Sequence, residues 1–168
     1  MIFVTLGTQD KQFVRLIEAV NKVNTDELII AQVGSTNCSK LKLRNNIKIY
    51  DYLSDEEFDK YMKEARIVIT HAGVGTIING LKNNKKMIVA ARLKKYKEHV
   101  NDHQLQILDN FSKEGYIIPL RNFDDLPKLI DEDFTPKKFV SNNKFFNDKL
   151  EEIIKVWKEI KWTIKINL

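Results

Sequence analysis

Short apolar runs alternate with amphipathic stretches over the first 120 residues. Residues 2–6 (IFVTL) are apolar and rich in β-branched side chains, and the run stops at Gly7-Thr8. After Asp10 the period changes: Phe13, Leu16, Ile17 and Val20 recur at the spacing of one helix face. Residues 27–33 (ELIIAQV) form a second strand candidate, closed by Gly34-Ser35, and residues 47–50 a third. Ser54 with Glu57 three positions on is a helix start, and the helix carries Phe58, Tyr61, Met62 and Ala65. Residues 66–70 (RIVIT) make a fourth strand, followed by His71-Ala72-Gly73-Val74-Gly75 and a helix over about 76–83. Residues 87–91 (MIVAA) make a fifth. A basic loop, 92–97, then leads into a helix predicted over 98–113, which Gly115 ends. Residues 116–118 open a sixth strand before Pro119, and a short helix starts near Asp124.

These strands are nearly continuous apolar runs rather than alternating ones, so both faces are expected to be buried. A parallel sheet covered by helices has that property. The expected fold class is therefore α/β, a doubly wound parallel sheet over residues 1–133. Its ligands should sit beyond the C-terminal ends of the strands. Residues 134–168 differ. Phe146, Leu150, Ile153, Ile154 and Trp157 mark one helix face, and apolar residues from Ile160 to Leu168 then alternate with polar ones. Two readings stay open for that end: a last helix with a frayed terminus, or a segment docking on another chain or a bilayer surface. There are no internal repeats.

A chain of 168 residues is the size of one domain, and its 43% hydrophobic and 30% charged residues are ordinary for a globular protein. The N-terminal residues do not read as a signal peptide, and no apolar run reaches the ~18 residues of a membrane span. A single cysteine, Cys38, cannot form an internal disulfide or a cysteine-based zinc site, and a reducing cytoplasm fits it. The net charge of +5 is uneven. Residues 134–168 hold 8 lysines against 4 acidic residues, while the rest of the chain is nearly balanced. An excess confined to the tail suits an anionic surface or an acidic partner as well as nucleic acid.

Three glycine-bearing turns follow predicted strands: Gly7-Thr8-Gln9, Gly34-Ser35-Thr36 and Gly73-Val74-Gly75-Thr76. In a parallel sheet all three lie on one edge. Glycine lets backbone amides approach a ligand, and the helix after Gly75 directs its free amides and positive dipole end at that edge, a seat for an anion such as phosphate. The glycines either merely end strands or build that seat, and three on one edge favour the seat. His71 either shapes the loop by bonding backbone or meets a diphosphate or sugar. His99 and His103, four apart on the predicted helix, share a face, but Val-Asn-Asp between them lacks a metalloprotease base. Asn101, Asp102, His103 and Gln104 are short polar groups suited to sugar or ribose hydroxyls. The basic loop from Arg92 to Lys97 is either a solvated charge run or a strip neutralising a phosphate. No P-loop, Ser-His-Asp order or G-x-G-x-x-G after the first strand is present.

Residues 71–77 (HAGVGTI) and 92–104 (RLKKYKEHVNDHQ), with 3–17 (FVTLGTQDKQFVRLI) and 50–73 (YDYLSDEEFDKYMKEARIVITHAG), resemble a known family. It comprises small bacterial polysaccharide glycosyltransferases related to the C-terminal, donor-binding half of MurG. The catalytic subunit of the eukaryotic two-protein UDP-GlcNAc transferase is similar, and the likeness covers about residues 1–120. The resemblance implies the Rossmann-like half of a GT-B fold split over two chains. This chain would bind the UDP-sugar donor, and a membrane-anchored partner subunit would hold a lipid-linked saccharide acceptor. It implies an inverting transfer with no metal and no cofactor, helix termini and backbone amides standing in for a cation. It implies no nucleic-acid partner, and a cytoplasmic place at the inner face of the membrane through the partner.

Residue by residue, the resemblance puts Gly7, Thr8 and Gln9 on the first phosphate-side loop; Gly34 joins the donor-binding candidates through its glycine turn on the same edge. Tyr52 and Leu53 would flank the uracil. His71, Gly73, Val74, Gly75 and Thr76 would meet the diphosphate, His71 being also the one named candidate for catalysis. His103 and Gln104 would reach the sugar. Asn79 stands where MurG-like relatives carry a ribose-binding glutamate. The general base would come from the partner or the cleft between the two halves. The loop of residues 92–104 looks like that of galactosyltransferases extending lipid-linked glucose in capsule or exopolysaccharide assembly. The alternatives are a UDP-GlcNAc transferase subunit, a UDP-sugar epimerase and a non-catalytic nucleotide-sugar-binding module.

Overall fold

The structure, a computed structural model, describes residues 1–140. Met1–Lys138 forms one compact unit. The helix face expected over 146–157 and the alternating residues 160–168 lie outside the described residues.

Six strands form one sheet: β1 (Ile2–Thr5), β2 (Ile29–Gln32), β3 (Ile47–Tyr50), β4 (Ile67–His71), β5 (Lys86–Ala90) and β6 (Ile118–Pro119). Every pairing is parallel and the order is β3-β2-β1-β4-β5-β6. The helices are α1 (Val14–Lys22), α2 (Asp55–Glu64), α3 (Val74–Lys82), α4 (His103–Lys113) and α5 (Leu126–Asp131). The doubly wound α/β reading is what the sheet shows. Its order reverses between β1 and β4, and the crevice at such a switch point is where open α/β sheets take their ligands.

The continuous apolar runs are explained by burial on both faces. Ile2, Phe3, Val4, Thr5 and Leu6 are all fully buried. Ile2, Val4 and Leu6 join Leu16, Ile17 and Val20 of α1 and Leu126 and Ile130 of α5 in one core layer. Phe3 points the other way and meets Phe58 of α2 edge-on, with ring centroids 5.2 Å apart. On that side Gly80 of α3 lets the helix sit close to β5: a Cβ there would lie 2.2 Å from the Met87 sulfur. At the switch point the Thr70 hydroxyl donates to the Thr5 carbonyl at 2.9 Å, tying β4 to β1 next to their C-terminal ends.

Several boundaries differ from the sequence expectation. β6 is Ile118–Pro119 rather than 116–118, and a proline is tolerated there because β6 is an edge strand. α3 begins at Val74, two residues earlier than expected. α4 begins at His103, not at residue 98. Lys94–Tyr96 instead forms a single 3₁₀ turn that ends at Lys97 in the left-handed region, φ 59°. A helix cannot run through that residue. Glu98 is pulled inward as well, its carboxylate accepting from Nε and Nη2 of Arg15 and from the Leu93 amide.

Candidate functional site

The C-terminal ends of β1, β2 and β4 open into a cleft of about 680 Å³, within the range usual for small-molecule sites. Three elements build its walls. The loop after β1 supplies Gly7, Thr8 and Gln9; the start of α3 supplies Gly73, Gly75, Thr76 and Asn79; the approach to α2 supplies Tyr52 and Leu53. Thr5, Gln32 and His71, at the three strand ends, also face it.

Each wall has a local cause. Gly7 adopts φ 74°, a left-handed conformation that glycine takes without strain. A Cβ on Gly7 would lie 2.5 Å from His71 Nε2, and one on Gly73 2.2 Å from His71 Cε1. The two glycine turns are thus wrapped round a single imidazole. Gly73 is the N-cap of α3 and offers no side-chain cap, and the first intrahelical bond runs from the Ile77 amide to the Gly73 carbonyl. The amides of Val74, Gly75 and Thr76 therefore carry no partner among the described residues. That leaves the anion-binding end of a nine-residue helix open at the cleft. Gln32 bridges strand and loop, its Oε1 accepting the Leu53 amide at 3.2 Å.

His71 lines the cleft, but its ring neither bonds backbone to shape a loop nor offers a nitrogen to the cleft. Both ring nitrogens are shut off from solvent and have no hydrogen-bond partner among the described residues. Burial, reinforced by the positive charge of Arg92, pulls its pKa down to about 4, so the imidazole is neutral at pH 7. In the free protein it works as a wedge between the two turns, and a ligand reaches its nitrogens only by displacing one of them.

Four of the residues singled out from sequence stand apart from the cleft lining. Gly34 turns with φ 57°, and a Cβ on it would lie 2.6 Å from the Gly7 carbonyl oxygen. Its contribution is close packing under the Gly7 turn. Val74 is 42% exposed and lies outside the lining. His103 is exposed at the start of α4. Gln104 is buried, and its Oε1 accepts the Arg92 amide at 3.0 Å. The shared face of His99 and His103 is a correction: His99 precedes the helix, and its Nδ1 faces the Asn101 backbone.

Arg92 is the largest departure. It is 1% exposed, where a solvated or phosphate-facing residue was expected. Its guanidinium reaches the carbonyls of Leu6, Lys11, Gln12 and Glu98, and it lies 4.8 Å from the centre of the Phe13 ring. Burial lowers its pKa to about 10, which leaves it charged at pH 7. Lys94, Lys95 and Lys97 are the exposed part of that loop.

The cleft also holds residues that sequence reasoning passed over: Thr5, Gln32, Asp55, Phe58 and Asp59. Thr5 and Gln32 did carry a signal, since each is a buried polar residue at the C-terminal end of an apolar strand. Asp55 and Asp59 are four apart on α2 and so share a face. Asn79 has one half of its amide engaged, its Oδ1 accepting from Asn83 at 2.9 Å.

The model of the glycosyltransferase family 28 C-terminal domain matches residues 1–157. Two curated relatives are UDP-N-acetylglucosamine transferase subunits ALG13. The one from Candida albicans is 28% identical over 109 residues, covering 60% of this chain and 36% of its own. The one from Candida glabrata is 32% identical over 92 residues, covering 52% and 44%. The matches thus span less than half the length of either relative. Among solved structures, a solution structure of ALG13 superposes with a TM-score of 0.55 at 21% identity, over 86% of this chain and 92% of that one. Acinetobacter baumannii MurG gives 0.55 at 17% identity, over 76% and 39%. These structural likenesses speak to the fold, which is that of GT-B glycosyltransferases. The chain belongs to the glycosyltransferase family 28 C-terminal domain family.

Proposed function

We propose that this chain is the donor-binding subunit of a two-chain glycosyltransferase, and that its cleft holds the nucleoside diphosphate of a UDP-sugar. The observation that carries this reading is the pairing of the Gly7 loop with the uncapped start of α3 across the β1/β4 switch point. A helix N-terminus favours an anion by about 0.3–1 kcal/mol and orients it through the free amides. Tyr52, 56% exposed, supplies an aromatic face at the opposite wall for a base. Asp55 and Asp59 supply acceptors for ribose or sugar hydroxyls, and Asn79 Nδ2 supplies a donor. In the transfer itself, the amides at the start of α3 take up charge that develops on the departing diphosphate. The second substrate, a lipid-linked saccharide, is proposed to be held by a membrane-anchored partner, which would also supply the base and bring this chain to the inner face of the membrane.

The transferred sugar is a hexose. Galactose is suggested by the loop of residues 92–104, whereas the names of both Candida relatives favour N-acetylglucosamine. A titration decides the donor class. The chain is expected to bind UDP with a Kd below the millimolar range. Absence of binding at millimolar UDP, alone and with the partner, overturns the reading. A panel of UDP-galactose, UDP-glucose and UDP-N-acetylglucosamine then separates the sugars by their transfer to a lipid-linked acceptor.

A further inference from the structure

The Gly7 loop leaves the sheet after Leu6 and passes through Lys11 and Gln12 to reach α1 at Val14. A loop of that kind, with one glycine in the left-handed region, has no hydrogen-bonded ladder of its own to set its width. One side chain spans it. Arg92 Nη2 donates to the Leu6 carbonyl at 2.7 Å, on the entering side, and Nη1 donates to the Lys11 and Gln12 carbonyls at 2.9 and 3.3 Å, on the leaving side. The guanidinium is planar and rigid, so it fixes the separation of the carbonyls that it bridges. Its own backbone is pinned from the other direction: its amide donates to Gln104 of α4. A second layer holds the segment that follows. Glu98, also buried, accepts from Arg15 of α1 and from the Leu93 amide, while Arg15 reaches the Ala91 carbonyl at 2.8 Å.

Burying a guanidinium on carbonyl groups alone is costly, and a neutral donor would bridge two carbonyls at lower cost. What arginine adds is reach and a fixed fork between three points of one loop. We infer that Arg92 is a positioning residue for the phosphate side of the cleft: it clasps both ends of the loop that carries Gly7, Thr8 and Gln9, and so holds that loop at the width a diphosphate needs. Arg92 itself does not touch the ligand. The inference rests on the donor-cleft reading above.

The test uses the full chain and UDP, followed by backbone amide NMR. In the wild type, UDP should shift the amides of Thr8 and Gln9 together with those of Tyr52 and Leu53. Arg92→Lys keeps the charge but replaces the fork by a single point. It should weaken UDP binding about tenfold, on the order of 1.4 kcal/mol. At saturation the shifts at Tyr52 and Leu53 should persist while those at Thr8 and Gln9 shrink. A residue that merely supports the fold would lower both sets in the same proportion. Arg92→Gln removes the fork together with the buried charge, and a neutral donor costs less to bury, so it is the second variant if the lysine one does not fold. It should give the same selective loss. UDP affinity within about twofold of wild type in whichever of the two variants folds, or proportional loss at both walls, overturns the clasp. Failure of the wild type to bind UDP is a different result: it overturns the donor-cleft reading, and the clasp falls with it.

Discussion

His71 is held neutral by burial, and that has a consequence for stability. Its folded pKa of about 4 lies below its unfolded value of 6.5, so between those pH values the unfolded chain binds the extra proton. The contribution is fully present above pH 6.5 and is lost as pH falls toward 4. Its size is about 3 kcal/mol at about 1.4 kcal/mol per unit. Urea unfolding at pH 7, 6, 5 and 4 should show the decline, and His71→Gln should flatten it. An unchanged slope in the variant would show that the decline comes from other groups. The glycines divide in a similarly testable way. A Cβ on Gly73 runs into the imidazole, whereas one on Gly75 meets nothing within 4 Å. Gly75→Ala should leave the melting temperature unchanged or raise it, since glycine inside a helix is worse than alanine by about 0.5–1 kcal/mol. Gly73→Ala should lower it. If Gly75→Ala weakens UDP binding without loss of stability, the bare backbone at Gly75 serves ligand approach. Equal UDP affinity would remove Gly75 from that role. From sequence all these glycines read alike, because His71 and Gly7 are 64 positions apart and only the β1–β4 pairing brings them together.

At the level of elements, what was legible followed from local rules. The start of α2 is one case. Ser54 Oγ accepts the Glu57 amide at 3.2 Å, and the Glu57 carboxylate accepts the Ser54 amide at 3.0 Å, which is the reciprocal capping box read from four residues of sequence. Ser54→Ala should cost about 1 kcal/mol in urea unfolding, and Ser54→Asp, which keeps an acceptor, should recover most of it. A loss below about 0.3 kcal/mol in the alanine variant would mean that packing alone sets the α2 terminus. Gly115, at φ 75°, ends α4 as its position suggested. The start of α4 was not legible. Nothing local marks Glu98 as the partner of Arg15, 83 residues earlier, and that long-range pair holds residues 98–102 out of the helix. The same limit hid the burial of Arg92. In a run of four basic residues out of six, the one that turns inward is chosen by carbonyls of a loop 80 positions away.

The cleft is made entirely by residues from Thr5 to Asn79, and the core beneath it closes with Ile130. Both belong to the compact unit that ends at Lys138. The excess of positive charge belongs instead to residues 134–168. Donor binding and the proposed docking on a partner or membrane therefore fall on different stretches of the chain, and a single cut can separate them. A chain ending after Lys138 keeps every residue of the cleft, the Arg92 clasp and both core layers. It should bind UDP within about twofold of the full chain and be stabilised equally by it, by about 2.7 kcal/mol at a hundredfold excess over Kd. It should lose association with the partner or with anionic vesicles, because residues 139–168 carry 6 lysines against 4 acidic residues and so offer net positive charge to a negative surface. If truncation instead costs UDP more than tenfold in affinity, the tail takes part in donor binding. If it leaves membrane and partner association untouched, the surface that meets them must lie within the first 138 residues, with the exposed Lys94, Lys95 and Lys97 as the next place to mutate.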